Sequence, residues 1–161
     1  MIDTSKKFLV AGAGKSGIGS VNLLLKTGAD VSLYDGNEEL DKEALFEKLY
    51  EKKEISLVLG NITKEDIEKY DLLVLSPGIS VNAPIAQMFY DQEKPVWSEI
   101  ELAYQASKGK IAAITGTNGK TTTTALTGEI MKGYYESSFV VGNIGIPYTS
   151  VALDTQENSV I

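Results

Sequence analysis

The chain has 161 residues, 43% apolar and 23% charged, with a net charge of −7, enough for one ordinary domain or one compact domain plus part of another. An acidic balance opposes extended nucleic-acid binding, and no apolar run approaches the ~20 residues that span a bilayer, so neither nucleic acid nor membrane is an expected partner. Cysteine, histidine and arginine are all absent, which excludes disulfides, thiolate nucleophiles and imidazole metal sites and leaves phosphate recognition to Lys, hydroxyls and backbone N–H groups.

From the N-terminus, which enters a short apolar segment without the pattern of a signal peptide and so points to a cytoplasmic protein, Lys7–Ala11 reads as a strand. It runs into Gly12-Ala-Gly14-Lys15-Ser16-Gly17, a G-x-G-x-x-G opening a helix whose apolar face is Ile18, Val21, Leu24 and Leu25. In that context the glycines allow a tight turn, close approach of a phosphate and close helix packing. The helix N-terminus favours an anion. Val31–Tyr34 is the second strand, and Asp35 stands at its end, where the dinucleotide pattern places an acidic group that reads part of a nucleotide.

A second helix is predicted through Leu45, Phe46, Leu49 and Tyr50, then a strand at Ile55–Leu59. Thr63-Lys-Glu-Asp66 is a capping box ahead of a further helical turn, and Leu72–Leu75 a buried strand. Ile85, Met88 and Phe89 mark a third helix, Pro95–Trp97 a weaker strand, and Ser98-Glu-Ile-Glu101 a second capping box. Strands alternating with amphipathic helices are the βαβ rhythm of a parallel sheet.

The polar stretch Ala106-Ser-Lys-Gly-Lys110 is the expected boundary, dividing a Rossmann-like domain (1–107) from the start of a P-loop α/β domain (108–161). There a strand is expected at Ile111–Thr115, followed by Gly116-Thr117-Asn118-Gly119-Lys120-Thr121-Thr122 and a helix with Ala125, Leu126 and Ile130. The loop is G-x-x-G-K-T, shorter than the ordinary Walker A sequence. Its backbone N–H groups would cradle a β-phosphate, Lys120 would bridge β- and γ-phosphates, and the Thr121 hydroxyl would ligate Mg²⁺. The expected cofactors are therefore ATP and Mg²⁺, with Lys120 and Thr121 the catalytic contributors. NAD(P) is the familiar occupant of a G-x-G-x-x-G loop, so an oxidoreductase domain is the alternative reading of the first loop; it leaves the second unexplained.

Thr115-Gly-Thr-Asn-Gly-Lys-Thr-Thr122 resembles the shortened P-loop of the Mur ligase and folylpolyglutamate synthase superfamily. The likeness covers nearly the whole chain, through Gly12–Gly17, Asp35, Ser76-Pro-Gly-Ile79, Ser98-Glu-Ile-Glu101, the P-loop and Gly142-Asn-Ile-Gly145-Ile-Pro147 in that order. It is nearest to the Mur ligases that add D-glutamate; sister ligases adding L-alanine, and folate-type ligases, are the alternatives. The resemblance implies that the first loop holds UDP-N-acetylmuramoyl-L-alanine rather than a dinucleotide, with Gly14, Lys15, Ser16 and Gly17 at the pyrophosphate, Asp35 and Gly36 at the uracil, Gly78 nearby and Asn143 reaching the sugar nucleotide from the second domain. It further implies ATP-dependent amide formation with D-glutamate through an acyl phosphate. The chain is accordingly expected to be the front portion of a longer ligase, inactive alone, with residues 108–161 partly mobile or packed on a neighbour.

Overall fold

A computed structural model describes residues 2–143 and 145–161; Ile144 of the Gly142–Pro147 segment lies outside them. Its centre is a five-stranded sheet, β1 (Lys7–Ala11), β2 (Asp30–Asp35), β3 (Ser56–Leu59), β4 (Leu72–Leu75) and β5 (Val96–Ser98). The order is β3-β2-β1-β4-β5 and every pairing is parallel. The five strands predicted within residues 1–107 all form, with ends shifted by a residue or so.

Burial on both faces explains why the two central strands, β1 after Lys7 and β4, are apolar throughout. Phe8, Val10, Val31, Leu33, Leu72 and Val74 point to one face, packed against α1 (Lys15–Thr27) and α5 (Glu99–Ala106). Leu9, Ala11, Leu73 and Leu75 point to the other, against Ile67 and Tyr70 around α3 (Lys64–Ile67) and against Ile85, Ala86 and Phe89 of α4 (Pro84–Asp91). A parallel strand with helices on both faces has no solvent side, so it carries no polar alternation.

The two predicted capping boxes differ. Thr63 accepts from the Asp66 N–H at 3.3 Å while Asp66 accepts from the Thr63 N–H at 2.9 Å, a complete box. Ser98 accepts from the Glu101 N–H at 3.1 Å, but Glu101 turns its Oε1 to Gln105 Nε2 instead, at 2.8 Å. The predicted helix through Tyr50 is also cut short, since α2 spans only Lys42–Phe46. Asn22 of α1 accounts for this by accepting from the Tyr50 N–H at 2.6 Å and donating to the Lys48 carbonyl at 3.1 Å. Those tertiary bonds compete with continued helix, yet Leu45 and Leu49 both stay buried.

Beyond α5 the chain forms α6 (Lys120–Met131), a two-stranded parallel ladder of β6 (Ser137–Ser138) with β7 (Ser159–Val160), and α7 (Tyr148–Val151). The strand expected at Ile111–Thr115 is not formed as such. Lys110 pairs with Val160 and the Ala112 N–H reaches the Ile161 carbonyl at 2.9 Å, but among the described residues Ala113–Thr115 have no ladder partner, and a strand needs one to persist. Part of this region packs on the first sheet's helices: Tyr148, Val151, Ala152 and Ile161 share a core with Leu24 and Leu102. At this seam Ser107 and Tyr148 hydroxyls lie 2.6 Å apart and the Lys108 N–H donates to Thr155 Oγ1 at 2.8 Å.

Candidate functional site

In the sheet order β3-β2-β1-β4-β5 the chain moves outward from β1 through β2 to β3 and then crosses back to β4 on the other side of β1, so a crevice opens at the C-terminal ends of β1, β2 and β4. Ligands of open α/β sheets bind in such a crevice. Here it is a cleft of about 480 Å³ lined by Gly12, Gly14, Lys15, Ser16, Asp35, Gly36 and the Ser76–Ile79 turn.

The glycine loop is built by steric necessity. Gly12 sits at φ 96°, in the left-handed region. A Cβ on Gly17 would lie 1.7 Å from the Gly12 carbonyl oxygen, so the first turn of α1 presses directly on the end of β1. Gly14 forms the N-cap of α1 in extended conformation, with no side-chain cap and no acidic residue in the first turn. An uncapped helix start thus borders the cleft, and Lys15 lines it, a combination suited to an anion.

Asp35 is tied to this loop. Its Oδ2 accepts from the Ala13 N–H at 2.7 Å and its Oδ1 from the Asn37 N–H at 2.9 Å. Across β1, the buried Ser76 donates its hydroxyl to the Gly12 carbonyl at 3.3 Å. Of the residues expected at a UDP-sugar, Gly14, Lys15, Ser16, Asp35, Gly36 and Gly78 line the cleft together; Gly17 is buried beneath it, and Asn143 is exposed and not among its lining residues. Sequence reasoning gave no role to Ser76, Pro77 or Ile79, which form the cleft's far wall. The Ser76-Pro-Gly-Ile79 motif, already part of the resemblance, was the available signal, but that its other residues line the cleft follows only once β4 is known to lie beside β1.

The second loop is solvent-exposed from Gly116 through Thr122. Gly119, at φ 76°, precedes α6, and Lys120, Thr121 and Thr122 make its first turn. Lys120 Nζ folds back onto the loop, donating to the Gly116 carbonyl and, at 3.3 Å, to that of Thr117. An ammonium so placed has exchanged water for weak neutral acceptors, and an incoming phosphate is a stronger one. Among the described residues no group of three or more Asp or Glu side chains could hold a metal alone. Behind the loop, between α6 and the β6–β7 ladder, lies an apolar cavity of about 270 Å³ with no charged side chain in its lining.

Fold and cleft together define an α/β protein of the doubly wound, Rossmann-like class, followed by a second glycine-rich loop that opens a helix. The family model described as Mur ligase MurD-like, N-terminal domain, matches residues 6–98, and the chain belongs to that family. It is 54% identical over 155 residues to a protein of Lachnospira eligens named UDP-N-acetylmuramoylalanine–D-glutamate ligase, covering 96% of this chain and 34% of that protein. A protein of the same name from Alkaliphilus metalliredigens is 43% identical over 159 residues, 98% of this chain and 35% of its own length. The chain thus spans about a third of the length of the curated relatives it matches. Among solved structures, a pseudomurein peptide ligase type C from Methanothermus fervidus superposes with a TM-score of 0.55 at 24% identity, over 97% of this chain and 32% of that one. That likeness is one of fold. Among the described residues no helix is long and apolar enough to cross a membrane.

Proposed function

We infer that the chain is the nucleotide-sugar-binding front of an ATP-dependent ligase that joins D-glutamate to UDP-N-acetylmuramoyl-L-alanine, a cytoplasmic step of peptidoglycan precursor synthesis. The observation that carries this is the 54% identity to a D-glutamate ligase across 96% of the chain, with both phosphate loops inside the matched span. On this reading residues 1–107 form the UDP-sugar domain and 108–161 the first part of the ATP-binding domain.

In the cleft, the pyrophosphate lies against the N–H groups of Gly14, Lys15, Ser16 and Gly17 with the Lys15 ammonium beside it, and the uracil lies toward Asp35 and Gly36, with Gly78 on the opposite wall. Asn143 approaches the sugar nucleotide from the second region. ATP takes the loop Gly116-Thr117-Asn118-Gly119-Lys120-Thr121-Thr122. Its γ-phosphate displaces the Gly116 and Thr117 carbonyls from Lys120, whose charge then offsets that of the transferring phosphoryl group. An oxygen of the substrate carboxylate attacks the γ-phosphorus and the bond to ADP breaks; the D-glutamate amine then attacks the acyl carbon, inorganic phosphate leaves with the C–O bond pair, and the proton lost from nitrogen ends on that phosphate. Bound Mg²⁺ would supply charge neutralisation at the phosphates, and the Thr121 hydroxyl is the ligand this loop would offer it.

Calorimetric titration of the chain with UDP-N-acetylmuramoyl-L-alanine, UDP and NAD⁺ tests the substrate half. Binding of both UDP compounds and not NAD⁺ is expected; NAD⁺ binding without UDP binding would restore the oxidoreductase alternative.

A further inference from the structure

Asp35 sits oddly for a residue that only meets a nucleobase. Both oxygens of its carboxylate already accept backbone N–H groups, Ala13 at 2.7 Å and Asn37 at 2.9 Å. The Ala13 bond crosses from the end of β2 to the turn that follows β1. Two further bonds hold the same turn, since the Gly12 N–H donates to the Tyr34 carbonyl at 2.7 Å and the Gly12 carbonyl accepts from Ser76 Oγ at 3.3 Å. Residues 12 and 13 are therefore clamped from β2 on one side and β4 on the other. The next residue, Gly14, begins the uncapped helix start and meets no protein atom within 4 Å of where its Cβ would be. The clamp sets the direction in which those free N–H groups point.

A carboxylate next to an anion site is electrostatically adverse, because two like charges repel and the repulsion is stronger where water is partly excluded. By charge alone, deleting Asp35 strengthens anion binding. By geometry, deleting it frees Ala13 and lets the loop leave the shape that presents its donors, which weakens anion binding. The two effects have opposite sign, so one measurement separates them.

We propose that Asp35 is a positioning residue for the anion-binding turn. By accepting the Ala13 N–H it holds Gly14, Lys15 and Ser16 in the arrangement that receives a diphosphate, independently of any contact with a base. This rests on the reading that the cleft takes a nucleoside diphosphate. It assigns to Asp35 an effect on the charged half of the ligand, the half it does not touch.

The test uses the 161-residue chain as wild type, Asp35→Asn and Asp35→Ala, with inorganic pyrophosphate and UDP as probes in calorimetry and amide hydrogen exchange read without ligand. Pyrophosphate has no base, so a role confined to the uracil leaves its affinity unchanged. The expected result is a loss of at least fivefold in pyrophosphate affinity for Asp35→Ala, with at least half of that loss recovered in Asp35→Asn, whose amide oxygen still accepts from Ala13. Exchange at Ala13 rises at least tenfold in Asp35→Ala while Leu9 and Leu73 in the core keep wild-type rates, which separates a loosened loop from an unfolded chain. Pyrophosphate binding Asp35→Ala as well as or better than wild type overturns the proposal, as does unchanged Ala13 exchange. A wild-type chain that binds neither probe fails the diphosphate reading itself, a result distinct from a wild type that binds and a variant that binds equally.

Discussion

Replacing Gly17 by Ala tests whether the glycine loop is held by close packing of α1 on β1. The added Cβ would fall 1.7 Å from the Gly12 carbonyl oxygen, 2.9 Å from its carbon and 2.8 Å from Ser76 Oγ. Helix and loop must part by about 1.3 Å before even a 3.0 Å contact is reached, and the obstructing atoms are mostly backbone, which cannot rotate away. Overpacking of this kind costs about 1–3 kcal/mol, and the geometry places this case at the upper end. Alanine returns about 1 kcal/mol through its better helix propensity, leaving a net loss of about 2 kcal/mol. For a chain of this size that lowers the melting temperature by about 4–8 °C. Gly14→Ala is the control, because nothing lies within 4 Å of its Cβ and only the N-cap preference is lost, at under about 1 kcal/mol. Thermal melts followed by circular dichroism, with urea midpoints as a second readout, measure both variants. A Gly17→Ala melt within about 1 °C of wild type would refute the packing argument.

Two further substitutions address the seam with α7. At Gly19 an added Cβ lies 2.7 Å from Thr149 Oγ1 alone, with the Thr149 Cβ at a comfortable 3.8 Å; because Thr has a second helical rotamer, Gly19→Ala should stay within about 1 kcal/mol of wild type by urea titration, and a drop as large as that of Gly17→Ala would show that Thr149 is locked. Tyr148→Phe removes the 2.6 Å contact with Ser107 and should cost about 1 kcal/mol at neutral pH. Burial holds the Tyr148 phenol above the usual tyrosine value of 10.0, with the Ser107 hydrogen bond opposing and Tyr104 reinforcing. A pKa raised by folding means the neutral form is favoured in the native state, so this stabilisation is complete below pH 10 and is lost as pH rises through the folded value. Wild type should therefore lose stability more steeply than Tyr148→Phe above pH 10, and parallel pH profiles would contradict the assignment.

Local chemistry was readable wherever adjacent residues decide it. Thr63 and Asp66 are three apart, so their reciprocal cap needs no knowledge of the rest of the chain. Glu101 shows the limit of that reasoning. It stands at the same spacing from Ser98, yet Gln105, one turn further along α5, is an equally near partner and takes its side chain. The expected helix through Leu49 and Tyr50 failed because Asn22, distant in sequence, supplies hydrogen bonds that a local pattern cannot anticipate. The strand expected at Ile111–Thr115 depended on partners that only a sheet can provide.

By itself the sequence determined the class of fold and the presence of two glycine-rich loops that each open a helix, because a glycine turn and a helix start are contiguous and their conformation is set by immediate neighbours. It also determined the family, through the order of those motifs. The tertiary structure alone decided that β4 lies beside β1 and brings the Ser76–Ile79 turn to the cleft, that Asp35 spends its carboxylate on the Ala13 N–H, and that α7 packs on α1 at Gly19. Those facts are relations between segments far apart in the chain, and hydrophobic periodicity says which face of a strand or helix is buried without saying which partner buries it.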